Sequence, residues 1–409
     1  GRNTLNATTT ASANVAVGYT ALAVNTASNN VAVGHAAMEA NAGGTENVAV
    51  GSNALDANVD ASYNTALGSY ALSGNTSGAS NTGLGRYAGK AITTGSNNTL
   101  VGKSAAAATT VGSDNTAIGT SALYTNVDGS RNTAVGTSAL YYTDPASAVN
   151  MNNTAVGHDA GLRITTGTAN TAIGAQAMRC GSADCTGSNN VAIGMYALDA
   201  ATSAYNQIAI GTDAMGATTT GANSVAVGYY SLKTNTTGDN NAAFGYNSME
   251  FNTTGSNDTG LGYKALEDNT TGSNNTAVGY YSLKSNTTGE DNVGVGHNTL
   301  TACTDGRRNV AIGRSAGQAI TSGEANTAVG YSSLVTATTA DSCTAIGQEA
   351  LFYNTADDNT AVGRSAMQNN STGDDNTGLG RGALYNNTTG ASNTAVGNEA
   401  MVTNVDGDF

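Results

Sequence analysis

The side chains able to do chemistry are few and scattered. His35, His158 and His297 lie far apart in the chain, and no Cys/His spacing of the zinc type occurs. Cys180 and Cys185 are five residues apart and could close a disulfide, a bond of oxidising, extracellular settings. Cys303 and Cys343 occupy unrelated positions and are not expected to pair. The acidic pairs Asp357–Asp358 and Asp374–Asp375 accompany no EF-hand loop or calcium-binding nonapeptide, so they read as solvated edges. The triplets beginning at Asn235, Asn252 and Asn286 match a glycosylation acceptor, but they follow from a repeated turn and read as corner residues. The best recognition candidate is Tyr229, Tyr246, Tyr263, Tyr280 and His297, which recur every 17 residues. Aromatic groups so spaced would hold a surface glycan or protein receptor, or else stack on one another and stiffen the chain. No catalytic residue, metal ligand or cofactor is expected.

The 17-residue spacing is general. Asn-Thr-Ala-Val-Gly and its variants occur 23 times, ending on glycines from Gly18 to Gly397, and 18 of the 22 intervals are 17 residues long. The others are 16, 21, 20 and 16 residues. A period this strict implies one chain turn per repeat in a stacked solenoid. The segment Asn275–Asp291 supplies a numbering of slots one to seventeen. Slot four is always apolar, slot two is Thr in 14 copies, and slot three is Ala in 18, Gly in four and Leu once, at Leu100. This alternation predicts a strand. Slot nine is Leu or Met in 19 copies, and an Asn-Thr-Thr-Gly turn follows, whose glycine at slot fifteen suits a positive φ.

These patterns predict an all-β parallel solenoid over residues 1–409, a single repeat domain. Each coil would have two short strands and two turns. About 24 coils would make a rod on the order of 115 Å long. Slots two, four and nine are expected inside. Gly89, Gly161 and Gly317 replace slot-nine Leu, and the same coils carry Ile92, Ile164 and Ile320 in place of slot-twelve Asn. The lost volume would thus return across the turn. In a fourth such coil Ala106 is followed by Val111, which would do the same. A coil with so few large side chains looks underfilled. The flat Ala/Gly face of slots three and five is therefore expected to pack against other copies of the chain.

Composition narrows the functions further. With Lys and Arg totalling 15 and a net charge of −14, the chain suits neither nucleic acid nor an anionic membrane. No run of about 18 apolar residues would insert into a bilayer. The chain starts in phase at Gly1 and ends in phase at Phe409, with no capping element in view. Either it is a segment of a longer fibre or the rods stack end to end.

The 23 in-phase copies of Asn-x-Ala-Val/Ile-Gly resemble the head repeats of YadA-type trimeric autotransporter adhesins. The longer unit through Asn-Thr-Thr-Gly is similar to repeats in phage and viral tail-fibre-like proteins. That resemblance implies a left-handed roll, a homotrimer, and an attachment role on a cell or virion surface. The adhesin heads use a shorter repeat, so the turn here is expanded. The sequence reading is therefore a non-enzymatic extracellular adhesin rod or fibre, with a structural filament of end-to-end stacked solenoids as the alternative. Ice binding is set aside because slot two is expected to face inward. Glycan cleavage is set aside because no groove of clustered carboxylates is visible.

Overall fold

A computed structural model describes residues 1–6 and 11–407; Phe409 lies outside the described residues. The chain is an all-β parallel β-solenoid of about 22 coils with a repeat of about 17 residues. It divides into two compact units, Gly1–Gln207 and Ile208–Phe409. The first contains β1 (Val15–Val17) through β11 (Val191–Ile193), and the second β12 (Ile208–Ile210) through β23 (Thr394–Val396). Every strand is three residues long and covers slots two to four. Successive strands within each unit pair in parallel and in register, so that Val278 of β16 (Thr276–Val278) lies beside Val295 of β17 (Val293–Val295).

Each described coil holds one strand rather than the two expected. The rest of the coil is built from left-handed backbone. Slots seven, nine and seventeen take positive φ at ordinary residues, for example Tyr281 (56°), Leu283 (49°) and Asn274 (62°). Slot five takes it at glycine, with φ of 138° at Gly296. This explains the composition of slot nine. β-branched side chains strongly disfavour positive φ, so the position accepts Leu, Met, Ala or Gly and never Val or Ile. The expectation of a left-handed glycine at slot fifteen was wrong. Gly255 has no such φ; it is needed for space, because a Cβ there would collide with the carbonyl oxygen of Gly272 and with Asn252 Oδ1.

The strand faces the opposite way from the sequence expectation. Slot three points inward: Ala277, Ala311 and Ala345 are fully buried. Slots two and four point outward, with Val17 57% and Leu67 44% exposed. The cause is the narrowness of the interior. Slot three sits directly over the slot-nine side chain, and a Cβ on Gly260 would lie 2.9 Å from Met249 Cγ. Only Ala or Gly fits above a Leu or Met. The small face is therefore the inner face of a filled coil, and the inference that an underfilled coil must share its core with other chains does not stand.

Two buried columns of asparagine complete the interior. Slot-twelve residues form one: Asn252 Nδ2 donates to Asn235 Oδ1 (3.0 Å), Asn269 to Asn252 (2.9 Å) and Asn286 to Asn269 (2.8 Å). The same Nδ2 groups also donate to the slot-fifteen carbonyl of their own coil, as Asn252 does to Gly255 (3.0 Å). Slot-one residues form the other. Asn275 Nδ2 donates to the Gly289 carbonyl (2.9 Å), and Asn275 Oδ1 accepts the N–H of Asn292 (3.1 Å). Buried amides are costly unless paired, and within each run of asparagines one coil pairs the next; a run ends where slot twelve is another residue, as at Cys303, where Asn286 Oδ1 is left without a partner. The asparagines of the three triplets, Asn235, Asn252 and Asn286, are accordingly fully buried and are not surface corner residues.

The swapped coils behave as expected in three cases. Ile92, Ile164 and Ile320 are buried, and their Cδ1 atoms lie 3.0, 3.0 and 3.1 Å from where a Cβ on Gly89, Gly161 and Gly317 would be. The exchange interrupts the amide column. Asn75 Oδ1, which would accept from slot twelve of the next coil, faces Ile92 and has no partner. The fourth case differs: Val111 is 38% exposed and fills nothing. In that coil the volume comes from Leu100, which is fully buried and reaches to 2.6 Å from a Cβ placed on Gly89.

Candidate functional site

The slot-six column emerges just after the strand, on the outer surface of the second unit. The Gly at slot five turns the chain there, and in-register pairing carries each slot-six side chain over the one before. Tyr229, Tyr246, Tyr263, Tyr280 and His297 stack with ring centroids 5.3, 5.4, 5.2 and 5.0 Å apart and planes within 11°. All five residues named from the sequence are brought together. Their faces are spent on one another, so the column presents ring edges and phenol hydroxyls to solvent rather than open faces. This is the self-stacking arrangement.

The column is reinforced from slots seven and ten. Tyr230 packs on Tyr229 at 3.9 Å and Tyr281 on Tyr280 at 4.1 Å. Lys233 Nζ lies 3.8 Å from the Tyr230 ring centroid. Glu267, largely buried, receives Lys264 Nζ at 2.7 Å and Lys284 Nζ at 3.2 Å. Its hydrogen bond to Lys264 raises that ammonium's pKa. The neighbouring Glu250 carboxyl is raised by burial and accepts from Asn247 Nδ2. Hydrogen bonds between phenols raise Tyr229 and Tyr281 above the ordinary tyrosine value.

The remaining candidates stay apart. His35 stacks on Tyr19 at 5.5 Å, and His158 lies 3.3 Å from Asp159; both are exposed. No group of three His, Cys, Asp or Glu side chains among the described residues could hold a metal ion. No helix among them is long and apolar enough to cross a membrane. Cys180 and Cys185 form a disulfide within the enlarged turn, with Cα atoms 5.8 Å apart. Cys303 and Cys343 are free and buried, and burial pushes their thiols up to about 12 and about 11. They occupy single places in the two asparagine columns.

Asp258 is the group that sequence reading passed over. It stands in the slot-one asparagine column, fully buried, accepting the Asn275 N–H at 2.7 Å and Asn269 Nδ2 at 3.2 Å. Burial raises its pKa to about 7, against the lowering effect of those hydrogen bonds. Its signal was legible, because every neighbour in that column from Asn241 to Asn326 is amide where it is acid.

The fold and these surfaces define a parallel β-solenoid repeat protein. No protein-family model matches the chain, and no curated protein matches it.

Proposed function

We propose that the protein is a non-catalytic extracellular attachment rod that works as a homo-oligomer, most simply a trimer. The observation that carries this reading is the outward row of slot four. Leu84, Ile118 and Ile173 in the first unit, and Phe244, Leu261 and Ile312 in the second, are large apolar side chains exposed on a regular sheet face. Contiguous apolar surface of this kind is normally covered. A second copy of the same chain repeats with the same period and so meets the row in register along its length. The contact face is thus slots two and four, not the Ala/Gly face. Resemblance of the repeat to adhesin heads and tail fibres supplies the trimer number and the attachment role, and the Cys180–Cys185 disulfide supports an oxidising location.

Light scattering of the purified chain tests the assembly. A trimer at micromolar concentration is expected, and Val278→Arg should leave it monomeric but folded. A monomeric wild-type chain would overturn the oligomer. Electron microscopy separates discrete fibres from end-to-end filaments, the structural alternative.

One observation favours a second reading. The slot-two threonines face outward, and Thr65 to Thr171 occupy seven successive strands, β4 (Thr65–Leu67) to β10 (Thr171–Ile173). The sequence argument against ice binding rested on the opposite orientation and falls. Inhibition of ice recrystallisation by the wild type, lost on replacing three of these threonines, would support that reading over attachment.

A further inference from the structure

The slot-six and slot-seven columns change character near the end of the second unit. Arg364 and Arg381 occupy slot six in consecutive coils, and Gly382 stands at slot seven. No other coil has glycine at slot seven. A Cβ on Gly382 would meet only Glu399 Cγ, at 3.5 Å, so the missing side chain leaves open space. The result is a groove of about 410 Å³ lined by Arg364, Ser365, Gln368, Arg381 and Tyr385, with Glu349 and Glu399 at its margins.

The electrostatics of the groove are selective. Arg381 lies 3.7 Å from Glu399, an exposed and loose pair. Gln368 Nε2 is held by Glu349 Oε2 at 3.1 Å. Arg364 makes no ion pair or side-chain hydrogen bond among the described residues. A guanidinium presents a planar fork of donors that matches a carboxylate with two parallel hydrogen bonds. The two marginal carboxylates and the net charge of −14 repel any polyanion. They can still accept hydroxyl hydrogen bonds, as Ser365 and Tyr385 can both donate and accept them. One anionic group flanked by neutral hydroxyls fits this lining; a phosphate chain or densely sulfated polymer does not.

We propose that this groove binds the carboxylate of an acidic sugar unit within an otherwise neutral glycan. Arg364 is the fork for the carboxylate, Arg381 supplies the second positive charge, and the notch at Gly382 admits the sugar ring. This names a receptor class for the attachment reading and rests on that reading for its biological sense, though not for its chemistry.

Saturation-transfer NMR with methyl glucuronide, methyl glucoside and sodium sulfate tests it. The glucuronide should receive saturation on its ring protons, and the glucoside at least about fivefold less, since it lacks the charged partner. Arg364→Gln should abolish the signal. Gly382→Asn, a side chain compatible with φ of 61°, should fill the notch and also abolish it while the circular dichroism stays unchanged. Equal transfer to both sugars, or binding that persists in Arg364→Gln, would overturn the site. So would displacement of the glucuronide by sulfate at equal concentration, which marks a simple anion site. Glucuronide binding by a rod that adheres to no glycan-coated surface would sink the attachment reading and leave the groove standing. Adhesion that survives Arg364→Gln would leave attachment standing and remove this groove as its contact.

Discussion

Ala277 and Val278 are neighbours in one strand, yet they belong to two regions with opposite demands. The interior is narrow: at slot three an added methylene meets the Leu or Met beneath it, and at slots one and twelve the commonest residue is an asparagine that donates to a carbonyl of the turn and, within a run, bonds the next coil. The outer face of the strand holds Val, Ile, Leu or Phe at slot four and Thr, Val, Ile or Ala at slot two with little distinction. Where the chain is packed against itself, residue identity is dictated by geometry. Where it faces outward, only a general character is kept, which is what a broad contact surface requires.

The sharpest way to break this contrast is to exchange the demands. Ala277→Arg would place a long cation inside the coil, where an unpaired buried charge costs several kcal/mol, and the second unit should lose its cooperative melt. Circular dichroism melting reads it; a variant that folds normally would put slot three outside. Next comes Ile320→Asn, expected to cost about 2–4 kcal/mol through a cavity beside Gly317. The double change Gly317→Leu with Ile320→Asn restores the common pattern and should recover much of the loss. Strict additivity in a double-mutant cycle would show that the two positions do not share volume.

Asp258 probes the interior through pH. Its folded pKa, about 7, stands above the ordinary value of 3.8, so the folded chain holds a proton that the unfolded chain gives up. The stability it contributes is fully present below about pH 4, declines as pH rises to about 7, and is flat above. Asp258→Asn should erase that slope and stabilise the protein by roughly 2–4 kcal/mol at pH 8, with little difference at pH 4. Parallel melting curves for the two proteins across that range would place Asp258 in solvent. The smallest effect belongs to the outside. Val278→Arg should change the stability of a single chain by less than about 0.5 kcal/mol while abolishing assembly. A large loss of melting temperature in the monomer would return slot four to the interior.

The period, the class of fold and the paired replacement of slot-nine Leu by Gly and slot-twelve Asn by Ile were legible because each leaves a mark in residue type at fixed spacing. The direction of the strand was not. Alternation identifies two faces but does not say which is inside, and the usual rule that large apolar groups are buried points the wrong way in a coil too narrow for them. The backbone at slot nine hid a second clue. Absence of Val and Ile there signals a positive φ, and hence a tight bend instead of a second strand. The slot-twelve asparagines were read as corner residues because polar residues ordinarily lie at corners, and the slot-one asparagines carried no reading; the burial of both depends on a partner one coil away, which no single repeat displays. Of the recognition surfaces, the tyrosine spacing was visible in advance, whereas the Arg364 groove depends on a side chain that is missing.

The asparagine columns also govern how the gene can change. Within each run an amide is held by an equivalent residue one coil on, so the partner's identity matters and its ancestry does not. Excising Asn275–Asp291 would bring the Asn292 N–H to the Asp258 carboxyl in place of that of Asn275, and Asn292 carries the same donor. Gaining or losing a whole repeat therefore rejoins cleanly, while a lone residue is tolerated only in the turn, as in the two 16-residue intervals. There the slot-twelve amide of Asn25 or Asn354 simply reaches a carbonyl two residues on, at Ala27 or Ala356 (2.7 Å in each). The natural unit of change in array length is therefore one whole coil, since that step alone leaves every contact between neighbouring coils of the same kind.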